Sequence, residues 1–230
     1  MFSKVFLAQT RREMTDELPD KLAYMALHFS PYSKGLSNLP QELPPNSILL
    51  LDDSMPPENH NPQTVTKQLT ELVSEFSPAA VLLDFQRPKN AESEAMAIAI
   101  LQALPCPVGI TGIYAKDLSC PVFLPPAPAN KALEDHLKPW LEQGVFLEIA
   151  PEALKISVTE QGSFTTPIPA VQNLPLEDNR LHCHYNVEVF TEKAVFTLCR
   201  YKEDLLSLCL EAEKLGVFGC VGLYEELRNL

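Results

Sequence analysis

The chain has 230 residues, 46% of them hydrophobic, and a formal net charge of −12. That much apolar material can fill a sizeable core and excludes global disorder. A surface this acidic repels phosphate backbones and anionic bilayers, so neither nucleic acid nor a membrane is expected as a partner.

Taken in chain order, residues 1–21 hold a short apolar stretch broken by Gln9, Arg11 and Arg12. This lacks the long apolar core of a signal peptide. No apolar run approaches the ~18 residues of a membrane span, so a cytoplasmic location is expected. Short, continuous apolar runs then recur: YMALHFSP (24–31), SILLLDD (47–53), AAVLLDF (79–85), PVGITG (107–112), PVFLPP (121–126) and GVFLEIA (144–150). LHCHYNVEVF (181–190) and VFGCVGLY (217–224) follow. Continuous runs are what strands buried on both faces look like.

The segments between them have helical period. Residues 62–76 put Val65, Leu69, Leu72, Val73 and Phe76 on one face, and 91–104 are rich in helix formers. Residues 130–144 open on Asn130 and stop on Gly144, and 201–216 stop on Gly216. Strand–helix alternation predicts a parallel sheet. About eight strands fit an α/β fold of the small (β/α)8 TIM-barrel type, complete or short of a strand, with residues 1–230 as a single domain. The alternating stretch 155–169, with Gln161–Gly162 in its middle, predicts a β-hairpin excursion. The competitor is an open doubly wound sheet, whose nucleotide-binding versions carry GxGxxG or GxxxxGK[ST]; neither occurs, and no cofactor is expected. The six cysteines lie mostly in apolar stretches and form no CxxC, so they are expected as free thiols.

Barrel enzymes place their chemistry at the C-terminal ends of the strands. Those ends carry His28 and Ser30, Asp52 and Asp53, Asp84 and Gln86, Thr111 and Tyr114, Glu148, His184 and Tyr185, and Tyr224 with Glu225. His182-x-His184 could bind a divalent ion with Asp52 or Glu148. Two ordinary strand histidines are the simpler reading, and no metal is expected. There is no GxSxG elbow, and no cysteine has a convincing histidine partner.

The third predicted strand reads F-S-P-A-A-V-L-L-D-F-Q-R-P over residues 76–88. It resembles the D-x-x-D-x-D-x-E strand of the chitinase-type glycoside hydrolases, family 18. Aligned on Pro88, the four acidic positions of that motif fall on Ala79, Leu82, Asp84 and Gln86, and Phe85 takes the place of its aromatic residue. Residues 202–224 resemble the closing helix and last strand of that family, with Tyr224 where a Trp floors the sugar site. In the family the final Glu protonates the glycosidic oxygen, the substrate's acetamido group attacks the anomeric carbon, and the middle Asp positions that group. Here the resemblance puts an amide, Gln86, at the acid position. A general acid needs a proton it can lose near working pH, and its loss costs about 10²–10⁴ in rate.

Three readings follow. The first is a divergent glycosidase-like barrel that has lost classical chitinase activity. It would bind a saccharide through Asp52, Asp53, Tyr114, Tyr185 and Tyr224, around Asp84 and the degenerate Gln86 position. The second is an active hydrolase with a relocated carboxylate pair drawn from Asp52 or Asp53, Asp84 and Glu148. Such pairs stand about 5–5.5 Å apart for retention and about 6.5–9.5 Å for inversion. The third is a non-catalytic interaction scaffold.

Overall fold

The structure, a computed structural model, describes residues 4–14 and 18–227. The chain starts with β1 (Val5–Gln9) and β2 (Leu22–Phe29), and a short antiparallel β3 (Leu36–Ser37) lies on β2. Next come β4 (Ile48–Asp52), α1 (Pro62–Phe76), β5 (Ala80–Asp84), α2 (Ala91–Ala103), β6 (Val108–Thr111), α3 (Gly112–Leu118), β7 (Val122–Leu124), α4 (Leu133–Leu137) and β8 (Val145–Glu148). Five antiparallel strands follow: β9 (Ala153–Thr159), β10 (Gly162–Pro167), β11 (Leu176–Asp178), β12 (Cys183–Val189) and β13 (Lys193–Cys199). The described chain ends with α5 (Lys202–Lys214), β14 (Gly219–Leu223) and α6 (Tyr224–Leu227).

Eight parallel strands run in the order β1, β2, β4, β5, β6, β7, β8, β14, and β14 pairs back to β1, which closes the barrel. Alternation along each strand divides the apolar residues into two layers. Phe6, Ala8, Ala23, Ile48, Leu50, Ala80, Leu82, Phe123, Phe146 and Val221 fill the barrel interior. Leu49, Leu51, Val81, Leu83, Ile110, Val122 and Leu147 point outward to helix residues such as Leu69, Met96 and Leu208. The helices start where local chemistry favours them. Pro62 opens α1, and the Asn61 side chain accepts the N–H groups of Gln63 and Thr64. Asn90 and Ser93 cap each other reciprocally at the start of α2.

The barrel is complete, but one of its strands is not the one the sequence suggests. The run 181–190 belongs to the inserted antiparallel sheet, and Val5–Gln9 is the true first strand. Alternation of polar and apolar residues through His182, Cys183, His184 and Tyr185 marks a sheet with one solvated face, unlike the unbroken runs of the barrel. The stretch at 79–85 is therefore the fourth barrel strand. The predicted hairpin is present as β9 and β10, joined by Glu160–Gln161, and it extends into a five-stranded sheet of order β10-β9-β13-β12-β11.

This sheet enters after β8 and is pinned at its β11–β12 side. The buried Arg200 guanidinium donates to the carbonyls of Ala127, Pro128, Leu181 and His182. Arg180 pairs with Asp135 of α4 at 3.2 Å. His184 Nδ1 meets Asp204 Oδ2 at 2.9 Å, while His182 holds Ser207 Oγ at 3.1 Å and Glu211 Oε2 at 2.7 Å. The two histidines thus grip one stripe of α5. His182 has left-handed backbone geometry just before β12, so the pair does not share a strand face. Among the described residues no cluster of three His, Cys, Asp or Glu side chains can hold a metal ion, and no helix is long and apolar enough to cross a membrane. All six cysteines are free.

Candidate functional site

Strand parity decides which acidic residues meet. Leu50, Leu82 and Phe146 face the interior, so two residues on, Asp52, Asp84 and Glu148 face inward at the C-terminal mouth. Asp52 and Asp84 are register partners on adjacent strands. His28 stands in register with Asp52 on the other side, and its Nδ1 is buried with no hydrogen-bond partner among the described residues.

The carboxylates affect one another. Burial raises the Asp84 pKa above its ordinary value; the charges of Asp52 and Asp53 add to the rise, and a hydrogen bond from Gln86 opposes it. That bond runs from Gln86 Nε2 to Asp84 Oδ1 at 2.5 Å. Burial likewise raises Glu148, with the charges of Asp84 and Glu226 adding to it. Burial also raises Glu226, on α6 directly after β14. The mouth thus carries a partly buried acidic cluster in which a proton is retained more readily than in water.

The remaining predicted residues lie elsewhere. Asp53 has the opposite parity and is buried; its two carboxylate oxygens accept the N–H groups of Gln86 and Arg87 at 2.9 and 3.0 Å. It shapes the loop that carries Gln86. Tyr114 is wholly buried, donates to Ser93 Oγ at 2.8 Å, and meets Phe85 edge-on at 5.7 Å between ring centroids. It belongs to the layer between barrel and helices. Tyr185 sits on β12, lining a groove of the inserted sheet. Tyr224 follows the end of β14, half-buried.

The site therefore unites Asp52, Asp84, Gln86 and Glu148, with Tyr224 near by in the chain fold. Of two further members, the sequence reading named His28 among the polar strand ends without giving it a role, and passed over Glu226. His28 shows as a polar strand end, but an irregularity between Tyr24 and Leu27 resets its direction. Glu226 shows only as part of an acidic helix start. Beside the mouth, the loops after β2 and β4 enclose a cavity of 330 Å³ lined by Ser30, Tyr32, Lys34, Met55 and His60 among others. Tyr32 is 95% exposed there.

No protein-family model matches the sequence, and comparison with curated proteins gives no match. Solved structures do match. A family 18 N-acetylglucosaminidase from Paenibacillus barengoltzii superposes with a TM-score of 0.57 at 9% identity, over 95% of this chain and 94% of that one. The Bacillus cereus spore cortex-lytic enzyme SleL gives 0.55 at 9% identity, over 95% of this chain and 70% of that one. Human YKL-39, described as a pseudo-chitinase with retained chitooligosaccharide binding properties, gives 0.54 at 8% identity, over 98% and 95%. The shared feature at such identities is architecture: the chain has the closed parallel barrel found in structures of glycoside hydrolase family 18 and its chitinase-like relatives.

Proposed function

We infer that this barrel binds a saccharide of the chitooligosaccharide type at its mouth and lacks the classical chitinase reaction. The observation that carries this reading is the Gln86–Asp84 hydrogen bond. An amide has no proton to give a leaving oxygen at neutral pH, and here its N–H groups are turned toward the carboxylate that the family motif retains. Asp52, Asp84 and Glu148 supply acceptors for sugar hydroxyls. Tyr32 and Tyr224 supply apolar faces for sugar rings. The net charge of −12 suits a neutral ligand better than an anionic one. The likeness to a chitooligosaccharide-binding pseudo-chitinase supports the same ligand class.

Titration calorimetry with chitotetraose tests this. Saturable binding is expected, weakened at least tenfold by Asp84→Asn, with no shortened products after prolonged incubation. Efficient hydrolysis abolished by Asp84→Asn, or no binding at all, would sink the reading.

One observation favours a second reading, an active hydrolase with a relocated acid. Burial raises the Glu148 pKa and the charges of Asp84 and Glu226 add to the rise, so this carboxyl keeps a proton more readily than usual, as a general acid must. Turnover lost in Glu148→Gln but kept in Gln86→Ala would replace the first reading with this one.

A further inference from the structure

The inserted sheet ends in a lightly guarded strand, β10, in which Pro167 at the far end removes one outward N–H and leaves those of Ser163 and Thr165 open. Both N–H and C=O groups along a sheet edge can template another chain, and edge strands are normally guarded by lysines, bulges or covering segments. All six residues of β10 are exposed, and residues 161–176 contain no charged side chain in a chain of net charge −12. The opposite side of the sheet is the one pinned to α4 and α5, which leaves β10 as the free edge.

The ladder fixes which groups point outward. Gly162 pairs with Thr159 across the turn, and Ile168 N–H donates to the Ala153 carbonyl at 3.0 Å. Even-numbered residues therefore bond to β9, and Ser163 and Thr165 turn their N–H and C=O groups away from the sheet. Ser163 also lines a groove of 480 Å³ on one sheet face, with Ile156, Val158, Tyr185, Phe196 and Leu198. Val158 is 40% exposed there.

We propose that the β10 edge and this groove together bind an extended polypeptide segment by strand addition. Backbone bonds to Ser163 and Thr165 hold the segment, and every second side chain lies over the groove. Specificity in this mode comes from pockets for alternate side chains. An added strand lies about 10 Å from β9, two strand spacings away. Only the small side chains of Ser163 and Thr165 lie between, so a Leu or Phe can lean across them to reach Val158 and Ile156. A second copy of β10 fits worse, because antiparallel self-pairing would bring Ser163 and Thr165 to that position and leave the groove unfilled. The acidity of the chain and Asp178 on the groove rim favour a neutral or basic segment.

The probe is a dye-labelled heptapeptide, K-V-T-L-T-V-K, with both ends blocked, titrated against the whole chain by fluorescence anisotropy. Saturable binding is expected. Thr165→Pro removes one outward N–H and no bond to β9, so the fold is retained, as circular dichroism checks, and affinity falls at least tenfold. Val158→Glu, which charges the groove, causes a similar loss. Equal binding by the wild type and Thr165→Pro, or no binding by the wild type, overturns the proposal. So does a wild-type dimer in sedimentation that Thr165→Pro dissolves, because the edge would then belong to a second copy.

Discussion

Asp52 and Asp53 are neighbours in sequence with unlike surroundings. Asp52 faces the mouth, while Asp53 is spent on two backbone N–H groups. The run SILLLDD cannot distinguish them, because a strand apolar on both faces carries no phase. Parity is set by packing: Leu50 and Leu82 fill the interior, which puts Asp52 and Asp84 on the same face. Glu148 was legible as a strand end, but its neighbours were not. Its folded pKa is raised by burial and by Asp84 and Glu226, so the folded state holds that proton more tightly than the unfolded chain. The associated stability is fully present below the unfolded value of 4.5 and is lost as pH rises through the higher folded value. Glu148→Gln removes that titration. Urea midpoints should show the variant more stable than the wild type at pH 7.5, with the difference shrinking toward pH 4.

Among elements, the hairpin at 155–169 was legible from its alternation and its Gln161–Gly162 turn. The rest of the inserted sheet was not, since its remaining strands are tied by partners distant in sequence. His184 is one such tie. Its hydrogen bond with Asp204 raises its pKa first and most, burial opposes that rise, and the charges of Asp204, Glu177 and Glu203 act with the hydrogen bond. Tyr201 packs over its ring at 4.6 Å between centroids. Protonation and docking of β12 on α5 therefore support each other. This stabilisation is complete below the ordinary histidine value of 6.5 and fades as pH rises through the raised folded value. Hydrogen exchange of β12 and β13 amides should be faster in His184→Gln than in the wild type at pH 5.5, and the gap should close by pH 9.

For the whole molecule, the repeated apolar runs made a barrel readable, and its interior follows from their packing. One side is crowded: a Cβ on Gly109 would lie 2.8 Å from Leu82 Cδ2 and 2.9 Å from Phe146 Cδ2. Glycine there admits the two large side chains that fill the centre. Gly109→Ala should cost about 1–3 kcal/mol through overpacking, seen as a lower urea midpoint with an unchanged slope. The strand hardest to read, Val5–Gln9, was obscure because a five-residue run with no helical element beside it among the described residues does not announce a repeat.

That strand also sets the timing of assembly. β1 hydrogen-bonds to β14, with Val5 opposite Cys220 and Lys4 Nζ reaching the Val217 carbonyl. The first strand of the barrel must therefore wait for the barrel's last strand before its outer edge is satisfied. Loop-closure entropy over so long a span is met only at the end, which makes ring closure a late, slow event and leaves a sticky half-ring during synthesis.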